Sequence, residues 1–417
     1  MADAAIAERE VPIEDPDFYV NNPWSTFAWM QQEKPFYFYE PLNMYCITRH
    51  RDIREIAVQA DIFSNERGIF PSEIKFREQA GDANPSEGFW PKDGELLGYV
   101  DPPRHGELRR VATPAFSVDA LAAVEGPIRA HIDKLLGGIV DGQTVEWWDL
   151  AAAVPIEAAC NLIGLPATDR AKVQHWSDEL EKLGADVSLE ELQAAVADFA
   201  SLQQYITDNV HRCKAERAAG GPSGTDLISV LLDAELDGGR VSMATVITYA
   251  MTAMAAGSDT TRALLLGIAH QFAEHPEQWE LLRKDRSLVK NAIEEVLRWV
   301  TPARAFARFI KKDTVVNGQE MKAGQYVYQM YMAGNRDPEA FVNPDQFDIT
   351  RKDASRHITF GAGPHICLGA RLARMEGALM LNAMLDRFTR LELAGAPKRV
   401  HHIIRNSWDS LPIKFYT

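Results

Sequence analysis

The stretch Phe360-Gly-Ala-Gly-Pro-His-Ile-Cys367-Leu-Gly369 carries more information than any other in this chain of 417 residues. Gly361, Gly363 and Pro364 prescribe a tight turn whose backbone approaches a neighbour closely. An apolar stripe of helical period follows over 370–385. Cys367 is therefore expected at or just before a helix N-terminus, where the dipole and free N–H groups lower a thiol pKa and favour thiolate. A thiolate under a glycine loop that aims N–H groups at sulfur suits a single-cysteine metal ligand. The same residues also suit an ordinary loop-to-helix junction with a buried thiol. The loop alone leaves both open.

Upstream, the longest helical candidate begins at Ser242, a fitting N-cap, and runs to about Glu274, where His275-Pro276 stops it. With a rise of about 1.5 Å per residue it spans about 50 Å. Its apolar residues (Val246, Ile247, Tyr249, Met254, Leu264, Leu265) lie on more than one face, so it is expected to be buried all round and to cross the core. Ala255-Ala-Gly-Ser-Asp-Thr-Thr261 interrupts it. Gly257 and two threonines are poor helix-interior residues, and Asp259 is a costly charge in a buried segment. A local rule broken in the middle of a core helix marks a functional position. It also suits a small-residue crossing point with Asp259 paired to a distant arginine, and the segment alone supports either.

The remaining sequence frames these two segments. A composition of 46% hydrophobic and 25% charged residues is that of a globular protein, and a net charge of −15 argues against a general nucleic-acid binder. The N-terminal residues show neither an apolar run long enough to cross a bilayer nor a basic-then-apolar leader, so no membrane span and a cytoplasmic location are expected. Cys46, Cys160, Cys213 and Cys367 are too scattered for a disulfide framework, and no CxxC pair points to structural zinc. Short β-like runs lie at Phe36–Tyr39, 44–48, Thr314–Val316, 326–331 and 411–415, and 66–100 reads as a long loop. One mainly α domain over 1–417 follows, with small β-sheets. It has a β-rich part over about 1–65, a helical core over about 101–300, and the cysteine loop at 360–369.

Residues 360–369 resemble the haem-binding signature of the cytochrome P450 family, with aromatic, Gly, Gly, His, Cys and Gly at matching positions. Three further motifs stand in the family's order. Glu295-Val-Leu-Arg298 resembles the ExxR motif of its K helix, and Ala256-Gly-Ser-Asp-Thr260 the oxygen-binding motif of its I helix. Asn335-Arg-Asp-Pro338, followed by Phe341, Pro344, Phe347 and Arg351, resembles its meander. The resemblance reaches from about Asp101 to the C-terminus. It implies the cytochrome P450 fold, a triangular helical domain with small β-sheets and a long central I helix. It also implies haem b (iron protoporphyrin IX) with Cys367 as thiolate axial ligand, pushing electron density toward O–O cleavage.

The function so implied is a haem-thiolate monooxygenase. It would activate O2 with two electrons from NAD(P)H and hydroxylate a hydrophobic small molecule such as a terpenoid, steroid, fatty acid or aromatic. Phe360, Gly361, Gly369 and Ala256 would frame the haem. His105 and Arg109, four apart on one helix face, would grip its propionates together with His365 and Arg308. Arg304 competes for that place, and Arg308 is preferred because its spacing to Asp313 fits the family better. Glu295 and Arg298 would form a buried structural pair, and Asp259 and Thr260 would deliver protons as the catalytic residues. Phe89, Leu97, Ala256, Ala303, Phe306 and Trp408 are the candidates for an apolar substrate pocket. Arg104, Arg110, Arg371 and Arg374 would form a basic patch on the thiolate side. That patch would steer an acidic ferredoxin, or a flavodoxin, supplied by its NAD(P)H-dependent reductase, to a monomeric enzyme. A peroxide-driven peroxygenase or isomerase, and a non-catalytic haem sensor or ligand carrier, are the competing functions. Retention of both Asp259 and Thr260 argues against them.

Overall fold

A helix of 32 residues, Met243–Glu274, runs through the middle of the molecule. Ser242 caps it as the sequence predicts, its hydroxyl accepting from the Thr245 N–H at 3.1 Å. The computed structural model describes residues 10–81, 90–182, 189–221 and 223–417. The helix Trp147–Ile163 lies along the central helix, and Leu189–Ala218, Val289–Val300 and Ala370–Arg387 pack against it as well. Two apolar clusters result. One gathers Leu264, Leu265 and Phe272 with Trp147, Trp279 and Met380, and the other gathers Val246, Tyr249 and Met254 with Ile156, Leu202 and Leu231. Full burial of such a side chain stabilises by about 1.5–3 kcal/mol, which explains why the apolar residues occupy every face of this helix. Among the described residues, no helix is long and apolar enough to cross a membrane.

The sheets are small and flank the helices. Phe36–Tyr39, Met44–Ile47, Tyr326–Gln329, Phe306–Ile310 and Phe63–Ser64 follow one another across a five-stranded sheet, in which Tyr326–Gln329 runs parallel to Met44–Ile47. Arg390–Leu393, Pro412–Tyr416 and Thr144–Glu146 form a three-stranded one. The run expected over 326–331 ends at Gln329, and Tyr331–Gly334 instead forms a helical turn.

Residues 66–100 depart from the expected loop. Pro71–Gln79 is a helix with proline in its first turn. Glu73 secures its start by accepting from the N–H groups of Ile69 and Phe70 at 2.8 and 3.1 Å. Ile74 is buried while Phe76 is exposed, so no clean apolar period marks this helix in the sequence. Phe89 lies outside the described residues.

Val289–Val300 carries the acid–arginine pair, and both side chains are 0% exposed. Arg298 Nε and Nη2 donate to Glu295 Oε2 and Oε1 at 2.7 and 2.8 Å. Its Nη1 reaches the carbonyls of Asn335 and Pro344 at 2.9 and 2.8 Å, and Arg351 Nε stands 2.9 Å from Glu295 Oε2. Asn335 passes the constraint on: its Nδ2 donates to Thr359 Oγ1 at 2.9 Å and its Oδ1 accepts from the Ile358 N–H at 2.8 Å. The pair thereby fixes the chain immediately before Phe360.

Candidate active site

The cysteine loop has the geometry its glycines require. Gly361 and Gly363 adopt φ of +74° and +68°, and a Cβ on Gly363 would collide with the Ala57 carbonyl. The Cys367 N–H closes the loop on the Phe360 carbonyl at 2.8 Å. Gly369 caps the helix Ala370–Arg387, and the N–H groups of Gly369 and Ala370 point at the Cys367 sulfur. The expected drop in thiol pKa is not what results. Burial pushes the thiol up, outweighing those two N–H groups and the charges of Arg109 and Arg374. The sulfur opens on a largely apolar cavity, whose walls disfavour its anion.

That cavity, about 390 Å³, collects residues from distant parts of the chain. The central helix supplies Ala256, Gly257 and Thr260, and the cysteine loop Phe360, Gly361, His365, Cys367 and Gly369. His105 and Arg109 come from the helix Arg104–Ala112, and Phe306 and Arg308 from the strand Phe306–Ile310. Strand side chains alternate, so Phe306 and Arg308 share the cavity face while Ala307 turns into an apolar core. Leu97 and Ala303 complete the predicted set on this wall.

One edge of the cavity is cationic. The His105 and His365 rings lie 4.2 Å apart. Burial, then Arg308 and His105, push His365 down to about 3, and burial also lowers His105, Arg109 and Arg308. Arg109 Nη1 donates to the Ile366 carbonyl at 2.6 Å and Arg308 Nη1 to the Ala307 carbonyl at 2.8 Å. Among the described residues neither arginine forms an ion pair, and His365 Nε2 is buried with no hydrogen-bond partner. Arg308 is buried and Arg109 half-buried; a buried guanidinium without a carboxylate is costly, and the two propionates of a haem are the counter-charge this cluster fits. Among the described residues, no group of three or more His, Cys, Asp or Glu could hold a metal ion. A porphyrin, which brings its own nitrogen ligands to iron, fits a cavity whose single thiol is Cys367. Arg304 is elsewhere: it bonds the His402 carbonyl, lies over the Tyr19 ring at 5.0 Å, and does not border the cavity.

On the central helix, Thr260 faces the cavity and Asp259 stands behind it. Thr260 Oγ1 donates to the Ala256 carbonyl at 2.7 Å, leaving its oxygen to accept. Asp259 Oδ1 is 3.0 Å from Arg262 Nη2 and 3.9 Å from Arg405 Nη1, and Arg262 Nη1 is also 3.2 Å from Asp178. Burial raises the Asp259 pKa; Arg405 opposes this, while Asp178 and Asp409 add to it. A Cβ on Gly257 would meet nothing within 4 Å. This glycine leaves room at the cavity and does not serve a helix crossing.

Three expectations need correction. Trp408 is buried in the core, its ring 4.7 Å from that of His270 with Arg399 stacked 4.5 Å over it, and it does not line the cavity. Arg104 is surrounded by acids, reaching Glu95 at 2.7 Å, Asp237 at 2.8 Å and Glu107 at 2.9 Å. Arg374 is bound to Glu294. Only Arg110 and Arg371 of the expected patch are exposed without an ion pair among the described residues. The sequence reading also missed Phe116, Leu227, Tyr331 and Glu376 on the cavity wall. Glu376 had a readable signal, a carboxylate four residues after Leu372 within the apolar stripe. Burial raises its pKa well above the ordinary carboxylate range, and its Oε2 has no hydrogen-bond partner among the described residues.

Comparison with known proteins bears on this geometry. A family model for cytochrome P450 matches residues 187–402. Cyclomarin C epoxidase CymV of Salinispora arenicola is 33% identical over 387 residues, spanning 92% of this chain and 93% of that protein. A steroid C26-monooxygenase of Rhodococcus jostii is 28% identical over 423 residues, spanning 97% and 85%. The crystal structure of CYP108D1 from Novosphingobium aromaticivorans superposes with a TM-score of 0.82 at 28% identity, covering 97% of each chain.

Proposed function

The chain belongs to the cytochrome P450 family and is a P450 monooxygenase with a haem-thiolate cofactor, and from this premise we propose what its residues do. Cys367 holds the iron. His105, Arg109, Arg308 and His365 bind the propionates, and Phe360, Gly361, Gly369 and Ala256 frame the ring. When bound, the haem-thiolate supplies oxygen activation and transfer, driven by two electrons per turnover. The observation that carries this reading is the meeting of a lone thiol, a carboxylate-seeking cation cluster and Thr260 on one cavity.

Thr260 accepts a hydrogen bond at the cavity wall, where it holds a water or the oxygen itself. Asp259, behind it, passes protons inward from the Arg262 and Arg405 side, where its raised pKa lets it carry a proton nearer neutrality. Leu97, Ala303 and Phe306 offer a hydrophobic small molecule an apolar wall. Steroids rank first among candidates for screening, because a steroid C26-monooxygenase is among the relatives. Electrons come from a ferredoxin or flavodoxin, docking near the exposed Arg110 and Arg371.

Two measurements test the proposal. Reduced Cys367→Ser protein with carbon monoxide should lose the thiolate absorption, and a band at the original wavelength removes Cys367 as ligand. Terpenes, steroids, fatty acids and aromatics are then titrated against the ferric protein for a shift in the haem spectrum. Ligands that shift it are given NAD(P)H, ferredoxin and reductase, or peroxide alone. Product only with the electron chain supports the monooxygenase reading, and equal product with peroxide alone contradicts it.

A further inference from the structure

Arg374 sits two helical turns beyond Cys367 on the helix Ala370–Arg387. Its guanidinium lies 4.5 Å over the Phe360 ring, and the Phe360 carbonyl is the acceptor for the Cys367 N–H. Arg374 therefore stands one aromatic ring away from the backbone that shapes the thiolate loop. Glu294 grips it from the neighbouring helix in a fork: Nε to Oε1 at 2.6 Å and Nη2 to Oε2 at 2.8 Å. His357 Nε2 closes on Glu294 Oε2 at 3.1 Å, and the His357 and Phe360 rings are 5.7 Å apart. The Glu294 side chain is 7% exposed and that of Arg374 37%, so the acid is buried while the guanidinium keeps one edge toward solvent.

We propose that Glu294 is a positioning residue for the redox chemistry: it holds and neutralises Arg374 beneath the cysteine loop, and so sets how much positive charge the thiolate-bound iron experiences. The proposal rests on Cys367 being the iron ligand. Fork-shaped pairing fixes the guanidinium plane, and Phe360 receives its face. Burial opposes ionisation of Glu294, but the bonds from Arg374 and His357 hold its carboxyl down to about 2. The acid is thus ionised throughout the working pH range. Burial lowers the His357 pKa against the pull of Glu294, with Arg374 and Arg298 adding to the drop, which leaves His357 a neutral partner. The Glu294–Arg374 pair carries no net charge, and Arg109 is a further cation that acts on the sulfur. Solvent screens part of the Arg374 charge at its exposed edge, and the remainder acts on the sulfur through the packed Phe360 side. Removing the negative member alone leaves an uncompensated cation beside the thiolate, which favours the reduced iron because reduction adds an electron.

The test is potentiometric, on the haem-loaded protein. Glu294→Gln keeps the shape of the side chain, and its reduction potential should move to a more positive value than that of the wild type. Glu294→Gln combined with Arg374→Gln removes both charges, and its potential should return toward the wild-type value. An unchanged potential in the single variant, or a shift that persists in the double variant, overturns the proposal. If Glu294→Gln alone retains no haem, the double variant still decides, because charge balance predicts the wild-type potential and a purely structural role predicts a displaced one. The reduced carbon monoxide spectrum is recorded on every sample. Loss of the proposal with a wild-type thiolate band present is a failure of Glu294. A wild type without that band is a failure of the Cys367 assignment.

Discussion

Two acid–arginine pairs in this molecule share one spacing and differ in everything else. Glu295–Arg298 and Asp259–Arg262 are both three residues apart on a helix. The first is saturated: Arg298 and Glu295 bond each other, three meander carbonyls, Arg351 and the Asp348 N–H. The second is contested. Arg262 is divided between Asp259 and Asp178, Arg405 approaches Asp259 from the C-terminal turn, and burial still raises the Asp259 pKa. Spacing predicts that two such residues meet, and the surroundings decide what the meeting is for. A pair with every bond made holds a shape. A pair whose charge is shared and costly fits the proton-moving role proposed for Asp259.

Each expected outcome below bears on that contrast. Arg298→Ala takes from the buried Glu295 its two-bond partner, leaving Arg351 to face it alone, and strips the meander carbonyls of their donor; it should lower folding stability by about 3 kcal/mol, read as a loss of soluble haem-loaded protein and of Tm. A variant melting with the wild type breaks the contrast. Asp259→Asn should slow turnover by about 10²-fold, the lower end for a displaced acid–base group, while Tm stays near the wild-type value. A large loss of Tm with turnover preserved makes Asp259 a second structural acid. Thr260→Ala should consume reductant at a near-normal rate but divert it to peroxide, so the ratio of product to NAD(P)H falls. Unchanged coupling takes Thr260 out of the mechanism.

The smallest expected effect concerns pH. A carboxyl whose pKa is raised in the folded protein binds its proton more tightly there than in the unfolded chain. Its ionised form therefore costs stability above the folded pKa, and that cost disappears as pH falls through it toward the unfolded value of about 3.9. Asp259→Asn should accordingly gain slightly in Tm near neutrality, about one degree for each kcal/mol in a domain of this size, with the gain vanishing near pH 4. A gain that grows on acidification contradicts the raised pKa.

The fold and the cysteine side of the site were largely legible in the sequence. The four motifs are local, and each states its own geometry: glycines for a left-handed turn, an acid and arginine for one helix face, a cap and a proline for the ends of the central helix. The substrate side was less so. Trp408 was expected on the cavity, but pairing of Trp408–Ser410 with Lys398–Arg399 across an irregular register directs its ring to the core. Arg104 looked like a docking cation until the fold brought Glu95 and Asp237 to it.

The amino-acid sequence by itself determined the family, the haem-thiolate cofactor, the long buried helix and which cysteine stands apart from the other three. These depend on residues within a turn or two of one another, where short-range sterics and periodicity speak directly. Only the tertiary structure decided that Arg308 and not Arg304 faces the cavity, that Glu376 is buried there, and that Arg374 belongs to Glu294. Those outcomes depend on strand pleat, helix rotation and distant partners, 80 positions apart for Arg374 and Glu294 and 98 for Arg304 and His402, and burial, which sets the worth of every charge, exists only once the chain has folded.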